Sequence, residues 1–155
     1  PTCCAPDRSC LHRLSGFAGL PVADARACDA VGPMARAAGV RMDTRLTGQN
    51  LYDQLEFEPV LETAGDCLAR VVVRLREVRQ SIDLVHQMVE KMPKGDGLPL
   101  ENKPRGNPSG ETFTRLEPPR GVVVYYVTAN GPKYRERFRS RTPPLANIPP
   151  MINLR

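Results

Sequence analysis

One arginine of this chain is placed where its charge could act on a bound molecule. Arg120 lies between Pro119 and Gly121 and precedes a run of apolar residues, 122–127, that is typical of a buried strand. The proline fixes one backbone dihedral, so the turn that carries the arginine has few alternative conformations. Because a guanidinium group stays protonated at physiological pH, the position predicts a fixed positive charge. The ordinary alternative is a turn arginine that pairs with Glu117.

A second group of arginines follows in residues 134–141, where Arg135, Arg137, Arg139 and Arg141 alternate with other side chains. Alternation places them on one face of a strand. A basic face could bind nucleic acid or an acidic protein, which is the alternative hypothesis for function, although aromatic residues are few and no nucleic-acid motif is present. Lysines and arginines number 22 against 17 aspartates and glutamates, a net charge of +5 that is spread along the chain and fits an ordinary solvated surface.

The cysteines and histidines, which bind metals or act as nucleophiles in other proteins, are not spaced as such sites require. No two of the five cysteines have the Cys-x-x-Cys spacing of a thiolate metal site, and the two histidines are far apart. These residues are Cys3, Cys4, Cys10, Cys28, Cys67, His12 and His86. We therefore expect no metal site, free thiols in a reducing compartment, and a packing or surface role for His86.

Four carboxylates, Asp53, Glu56, Glu58 and Glu62, form an acidic stretch in the middle of the chain. The ordinary interpretation is that they are solvated charges. A proton path is the functional alternative, and pairing with the arginine strand is another ordinary explanation.

The elements that must position these residues include one long helix. Apolar residues recur every three or four positions across 66–92, which predicts an amphipathic helix of about 40 Å that Pro93 and Gly95 end. Its apolar seam consists of Leu68, Val71, Leu75, Val78, Ile82, Val85, Val89 and Met92. Such a helix usually belongs to a bundle, so we expect its partners in a further part of a larger subunit or in a second copy of the chain.

Short elements surround that helix. Residues 1–19 have no periodicity and are predicted to be irregular. Short helices are predicted over 22–31 and 33–38, a linker over 93–110, and a β-meander over 111–141 with strands at 111–117, 122–127 and 134–141. Residues 129–131 fit a hairpin turn, and the proline-rich tail from Thr142 is predicted to be extended. The fold class is therefore α+β, a long helix preceded by short helices and followed by a small antiparallel sheet.

The composition fits one small domain. A chain of 155 residues, 41% of them hydrophobic, can form one core, but 16 prolines and few aromatic residues predict many loops and exposed apolar surface. No run approaches the roughly 18 apolar residues of a membrane span, and we expect no secretory signal.

Four ordered segments carry a resemblance to a known family. Residues 31–40 contain a Gly-Pro-x-x-Arg-x-x-Gly element, residues 65–82 follow in the family's order, and residues 116–126 and 141–149 match two C-terminal signatures. Over residues 20–153 the chain resembles the large subunits of nickel–iron hydrogenases, a family that includes the quinone-site subunit of respiratory complex I. Within the family, it is most similar to the membrane-bound, energy-converting branch of carbon-monoxide-induced and Ech-type hydrogenases.

The resemblance implies roles for residues of the two C-terminal signatures. In the hydrogenases the Pro-Arg pair lies over the bimetallic centre, which makes Arg120 a catalytic candidate and Pro119 and Arg120 cofactor-binding candidates. The hydroxyl that approaches an iron ligand in the family corresponds to Pro144 here, which has no donor, so Thr142 and Pro143 are the candidates in that segment. The family's two Cys-x-x-Cys pairs are absent, and the choice between a hydrogenase and a quinone-reducing relative without the metal stays open.

The resemblance also implies what the parent protein does. It predicts that residues 20–155 are part of the large subunit of a membrane-associated oxidoreductase. That enzyme exchanges electrons between an iron–sulfur subunit and either protons at a nickel–iron centre or a quinone, as in NADH-quinone oxidoreductase-like complexes. The fragment alone is expected to be inactive and to hold no cofactor. Its expected partners are the iron–sulfur small subunit and membrane subunits at the cytoplasmic face of a membrane, without nucleic acid, and a homo-oligomer could form through the apolar helix face.

Overall fold

The computed structural model describes residues 8–48, 51–95, 107–131 and 134–155. Its helices are α1 Arg8–Leu14, α2 Val22–Ala27, α3 Pro33–Ala37, α4 Cys67–Lys91, α5 Pro143–Ala146 and α6 Ile148–Ile152, and its strands are β1 Ser109–Leu116, β2 Val123–Asn130 and β3 Arg137–Arg141. Two turns of 3-10 helix, Thr44–Thr47 and Tyr52–Gln54, lie between α3 and α4. The predicted α+β class is confirmed.

The long helix α4 forms almost as predicted because both of its ends are signalled locally. The Asp66 carboxylate accepts hydrogen bonds from the backbone N–H groups of Ala69, at 2.7 Å, and Gly16, at 2.8 Å. The first bond caps the helix and the second ties it to the segment that follows α1. Burial acts to raise the pKa of Asp66, but these bonds to the ionised form outweigh it, so the pKa lies below its usual value. At the other end, Met92 is extended before Pro93.

The face of α4 that the chain covers is not the apolar seam. Its buried residues are Ala69, Val73 and Leu84. Val78, at the middle of the seam, is 61% exposed, and Leu75, Ile82, Val85, Val89 and Met92 are exposed as well. The polar side of the helix binds the preceding segment instead, since the Gln87 amide donates to the Glu56 carbonyl at 2.9 Å and accepts from its N–H at 2.8 Å. The expected exposure of apolar surface is confirmed.

The three strands form an antiparallel meander in the order β1-β2-β3. Ser109 pairs with Asn130 and Leu116 with Val123, so β1 and β2 match along their whole lengths. The hairpin turn predicted at 129–131 is wrong in its first two residues, because the early start of β1 gives Ala129 and Asn130 strand partners. The predicted linker ends before Ser109, and its residues 96–106 lie outside the described part of the chain.

Both ends of the described chain contain helices that the sequence did not predict. Residues 8–14 were expected to be irregular but form α1, which packs against α4. The tail was expected to be extended, yet it forms α5 and α6, each of which has prolines in its first turn. Proline is compatible with the first turn of a helix, where N–H groups have no intrahelical partner. The predicted helix 22–31 also ends early, at Ala27, because Asp29 adopts a φ of +50°.

The core consists mainly of small residues. One cluster contains Leu20, Ala25, Ala30, Ala35 and Ala38, a second Val31, Val122 and Ala146, and a third Ala37, Ala69 and Val73. Small side chains allow the backbones of neighbouring segments to approach one another closely. Among the described residues, no helix combines the length and apolarity required to cross a membrane.

Candidate functional site

The turn that carries Arg120 is held by a direct contact between two glycines. Gly32, at the start of α3, has a φ of +65°, and a Cβ built there would lie 2.5 Å from the Arg120 carbonyl oxygen. A Cβ on Gly121, where φ is +118°, would lie 2.8 Å from the Gly32 nitrogen. Only glycine fits both positions, because each needs an unusual φ and no side chain. The Gly-Pro element and the Pro-Arg-Gly turn, both singled out in the sequence, therefore pack backbone against backbone.

The second C-terminal signature joins the same place through Asn147. Its side-chain oxygen accepts a hydrogen bond from the Val31 N–H at 3.0 Å, and its amide donates to the Val31 carbonyl at 3.2 Å. One amide side chain thus satisfies both backbone groups of the residue before Gly32. Residues of three signature segments therefore meet around Val31, although 116 positions separate Val31 from Asn147.

A buried arginine of α3 ties the turn to the long helix. Arg36 is 1% exposed. Its Nε donates to Glu77 Oε1 of α4 at 2.6 Å, and its Nη1 donates to Glu117 Oε1 at 2.9 Å. The same Nη1 donates to the Met42 carbonyl at 3.2 Å and lies 3.6 Å from Asp43 Oδ2. Arg36 therefore holds together α3, α4 and the end of β1.

The Glu117 carboxylate is fully engaged in this network. Its Oε2 accepts hydrogen bonds from the Thr44 N–H at 3.2 Å and the Thr44 hydroxyl at 2.9 Å. The alternative in which Arg120 is a turn arginine paired with Glu117 is therefore wrong. Glu117 follows the last residue of β1 rather than lying in the strand as predicted, and it turns toward the buried cation because burying a carboxylate requires a partner of opposite charge.

A second ion pair extends the network. The Arg45 guanidinium donates to both oxygens of Asp43, from Nε at 2.9 Å and from Nη2 at 2.6 Å, and the Arg45 N–H donates to Oδ1 at 3.0 Å. Its Cζ also lies 4.9 Å from the centroid of the Phe57 ring, in cation–π contact. The bidentate geometry fixes the Arg45 side chain beside the site.

The network contains three carboxylates and two guanidinium groups, so it carries one excess negative charge when all are ionised. Burial acts to raise the pKa of Asp43, but the bonds from Arg45 outweigh it, so this pKa lies below its usual value. Burial raises the pKa of Glu77, and the nearby Arg36 only partly opposes the rise. Glu77 therefore binds a proton more readily than Asp43 does.

A cleft of about 570 Å³ opens between α4 and the Arg120 turn. Its walls are formed by Arg36, Arg45, Tyr52, Arg74, Glu77, Val78, Ser81, Glu117, Pro118, Pro119 and Arg120. Arg74 and Arg120 are exposed, and neither guanidinium group makes a hydrogen bond or ion pair within the described residues. The cleft therefore combines an apolar wall, formed by Tyr52, Val78 and the prolines, with two guanidinium groups that can donate to a ligand oxygen.

The structure brings only part of the predicted site together. Pro119 and Arg120 line the cleft, whereas Thr142 and Pro143 do not. Thr142 precedes α5 and its carbonyl accepts from the Leu145 N–H at 3.1 Å, while Pro143 is buried in the first turn. Whether any of the four acts on a ligand stays a prediction.

The residues that sequence reasoning missed are the buried charges. In the sequence Arg36 stands out only as the arginine of the Gly-Pro element, and Glu77 lies outside the apolar seam of the helix. No local pattern distinguishes a buried glutamate from an exposed one, since the difference depends on a cation that arrives from another element. The available signal was Arg36 itself, a charged residue among six small or apolar neighbours in 33–39.

Glu62 of the acidic stretch and His86 both lie at α4, and a proton path through the stretch stays a prediction. Glu62 pairs with Arg76 of α4 at 2.5 Å. Within the described residues no carboxylate of this stretch pairs with the arginine strand, so that explanation is wrong. His86 is exposed on α4, as its predicted surface role requires.

The described cysteines do not fit a nickel–iron centre, which needs several converging thiolates. Cys28 accepts a hydrogen bond from the Asn153 side chain at 3.1 Å, and Cys67 accepts one from Arg70 at 3.2 Å, on different elements. Across the described ranges, no group of three or more His, Cys, Asp or Glu residues could hold a metal ion.

Comparison with known proteins identifies the family of the chain. Residues 2–106 match the family described as the 49 Kd subunit of respiratory-chain NADH dehydrogenase. The chain is 38% identical over 152 residues to the D subunit of F(420)H(2) dehydrogenase from Methanosarcina mazei, a match that covers 91% of this chain and 40% of the relative. It is 36% identical over 120 residues to the D subunit of NADH-quinone oxidoreductase from Dehalococcoides mccartyi, covering 77% of this chain and 33% of the relative.

A third relative, a D subunit of NADH-quinone oxidoreductase from Salinispora arenicola, is 37% identical over 147 residues, covering 93% of this chain and 38% of the relative. The chain thus spans 40% or less of the length of these curated relatives. The narrower similarity to energy-converting hydrogenases stays a prediction. With the family match covering about two thirds of its residues, the chain belongs to the family of the 49 Kd subunit of respiratory-chain NADH dehydrogenase.

Proposed function

We propose that the chain is part of the large subunit of a membrane-associated oxidoreductase in which the cleft at Arg120 receives a quinone-type electron acceptor. The observation that carries the proposal is the fixed backbone position of Arg120, whose guanidinium has no partner among the described residues, at a cleft with an apolar wall of Tyr52, Val78 and two prolines. A quinone ring needs apolar walls and donors for its carbonyl oxygens, and the volume of about 570 Å³ is ordinary for a small-molecule site.

Arg120 supplies the electrostatic part of the chemistry. Reduction of a quinone places negative charge on its carbonyl oxygens before protons arrive. A guanidinium cannot lose its own proton, and one that is carried by a fixed backbone turn can stabilise that charge from a defined position. The Gly32–Gly121 contact holds the backbone of the turn, and the Arg36 network holds Glu117 beside it.

The relatives support the choice of acceptor. Two of them are named as subunits of NADH-quinone oxidoreductase, and a third is named as a subunit of F(420)H(2) dehydrogenase. Of the two parents that the resemblance implied, the hydrogenase is the less favoured, because Pro144 replaces the expected hydroxyl. In this proposal electrons reach the cleft from an iron–sulfur subunit, and the assembly lies on the cytoplasmic face of a membrane.

The exposed apolar seam of α4 is consistent with a chain that is part of a larger subunit or complex. A row of aliphatic residues this long is costly to leave in water, at roughly 25 cal/mol for each Å² of apolar surface. In the proposed assembly the row is covered by another part of the subunit, by a membrane-complex partner or by a second copy of the chain. The 155 residues alone would then be inactive, since the donor and the remaining walls of the site lie elsewhere.

The test is electron transfer in the parent complex, isolated through a tag on the subunit that contains this chain. Arg120→Lys keeps the charge but loses the planar donor set, and we expect quinone reduction to fall by about tenfold or more while the iron–sulfur signals in electron paramagnetic resonance are unchanged. Arg79→Lys is the matched control, because Arg79 is exposed on α4 and does not line the cleft. Equal activities of the two variants, or a complex without quinone-reducing activity, would contradict the proposal.

A further inference from the structure

One face of the sheet collects arginines from two different strands. Residues paired across antiparallel strands share a face, and the register pairs Arg115 with Val124 and Val124 with Arg141. Likewise Phe113 pairs with Tyr126, and Tyr126 with Arg139. The complete face consists of Ser109, Glu111, Phe113, Arg115, Val124, Tyr126, Thr128, Asn130, Arg137, Arg139 and Arg141, and we call it the arginine face. The aromatic pair of the sheet, Tyr125 and Phe138, stacks on the opposite face with ring centroids 5.9 Å apart.

The arginine face differs from the predicted strand in its membership. Arg135 precedes β3 and is not part of the sheet, while Arg115, on the far strand, was not foreseen. Four guanidinium groups against one carboxylate give the face a local charge of about +3. All four arginines are exposed, and none of their guanidinium groups makes a hydrogen bond or ion pair within the part of the chain that the structure describes.

Aromatic side chains lie among these charges. Phe113 is 61% exposed at the centre of β1. The Tyr126 hydroxyl donates to Glu111 Oε2 at 2.8 Å, and this bond to the neutral phenol raises the pKa of Tyr126, which the positive charges of Arg137 and Arg139 oppose. A shallow groove of about 580 Å³ lies over the face between Phe113 and Arg141. Tyrosine, phenylalanine and arginine are the residues enriched at the centres of protein interfaces.

We propose that the arginine face binds an acidic surface of a partner protein. Guanidinium groups match carboxylates in pairs of parallel hydrogen bonds, and an exposed ring beside them gives the contact an apolar centre. The negative charge of Glu111 makes nucleic acid and an anionic membrane less suitable partners for this face. A phosphate backbone or an anionic bilayer presents negative charge continuously and would meet Glu111 with repulsion, whereas a protein surface can place a donor opposite this one carboxylate. The face lies outside the cleft at Arg120, so the proposal goes beyond the proposed function and is independent of it.

The face alone is small for a stable interface. Three strands spaced about 4.8 Å apart, each up to eight residues long, cover only a few hundred Å², well below the roughly 800 Å² per partner of a standard interface. We therefore expect weak, salt-sensitive binding by the isolated chain and a supporting role within a larger contact.

The test measures binding of the full chain to fluorescently labelled poly-L-glutamate by anisotropy, at about 50 mM and about 200 mM salt. Arg137→Gln/Arg139→Gln removes two charges beside Tyr126, and Arg26→Gln/Arg79→Gln removes two exposed arginines from α2 and α4. Both variants have the same net charge. The account predicts a Kd about tenfold weaker for the first variant and less than about twofold weaker for the second, with a smaller salt dependence only in the first.

Two further probes separate the classes of partner. Single-stranded RNA and phosphatidylglycerol vesicles are tested at the same salt, with circular dichroism to confirm that each variant is folded. Equal loss of poly-L-glutamate binding in the two variants would reduce the effect to net charge and overturn the proposal. Tighter binding of RNA or vesicles, lost in Arg137→Gln/Arg139→Gln alone, would overturn it in favour of that partner.

Discussion

Replacing Arg36 by methionine should be among the most damaging single changes in this chain. The substitution keeps the volume and apolar stem of the side chain but removes the cation that faces three carboxylates. Asp43 keeps Arg45 as its partner, and Glu77, whose side chain is 13% exposed and whose pKa is already raised, can take up a proton. Glu117, with a side chain 2% exposed, is then left buried without a cation among the described residues.

Breaking a buried ion pair from one side costs about 3–5 kcal/mol. Because a single carboxylate is left uncompensated and its two bonds from Thr44 remain, we expect a value near the lower end, about 3 kcal/mol. For a chain of this size, with an m-value of about 2 kcal/mol/M in urea, the unfolding midpoint should fall by about 1.5 M. Far-UV circular dichroism, dominated by α4, reports the transition.

Two controls make the reasoning refutable. Arg74→Met removes an exposed arginine of α4 and should change the free energy of unfolding by no more than about 0.5 kcal/mol. Arg36→Met/Glu117→Gln neutralises the stranded carboxylate, keeps an acceptor for Thr44, and should recover about half of the loss. The account fails if Arg36→Met is no less stable than Arg74→Met, or if the double variant gains nothing over Arg36→Met.

Three further predictions follow from the same contacts. Because burial raises the pKa of Glu77, the folded chain holds a proton at a pH where the unfolded chain has released it. The free energy of unfolding should therefore rise as the pH falls from the raised pKa toward the usual glutamate value. Glu77→Gln should remove this rise in urea titrations across that range. Gly32→Ala places a Cβ 2.5 Å from the backbone of the opposing turn and should lower the free energy of unfolding by about 2 kcal/mol or more, measured by thermal unfolding. Gly16→Ala is the control, because Gly16 has a similar φ but open space around it. It should cost only the strain of that φ, about 1 kcal/mol. Asn147→Ala removes both side-chain hydrogen bonds to Val31 and should lower the free energy of unfolding by about 1–3 kcal/mol, measured by urea unfolding. Asn147→Asp keeps only the acceptor, so its stability should lie between that of Asn147→Ala and that of the natural chain.

The elements of the fold that depend on local pattern were predictable from the sequence. The helix predicted at 66–92 differs from α4 by one residue at each end, because a capping aspartate and a following proline mark its limits. The strands followed from the change of period after residue 110, and the three signature segments were recognisable in the sequence before the structure showed them in contact.

The parts that failed depend on contacts between distant elements. The apolar seam of α4 is exposed, as expected of a face whose partners lie outside the chain, but no local pattern indicates that the backbone carbonyls of Glu56 and Glu58 bind the polar side of this helix. Glu77 lay in the sequence among solvated charges, and only the approach of Arg36 from α3 makes its burial favourable. The prolines of the tail favour an extended chain in the sequence, although their positions in the first turns of α5 and α6 suit helices.

Photoaffinity labelling of the parent complex with an azidoquinone, followed by mass-spectrometric mapping, tests the proposed role of the cleft most directly. The account predicts labelled residues on both walls, within 74–81 of α4 and within 117–120 of the turn, with labelling reduced by excess unlabelled quinone and by Arg120→Lys. Competed labelling confined to other parts of the complex, unchanged in Arg120→Lys, would contradict the assignment of this cleft to the acceptor.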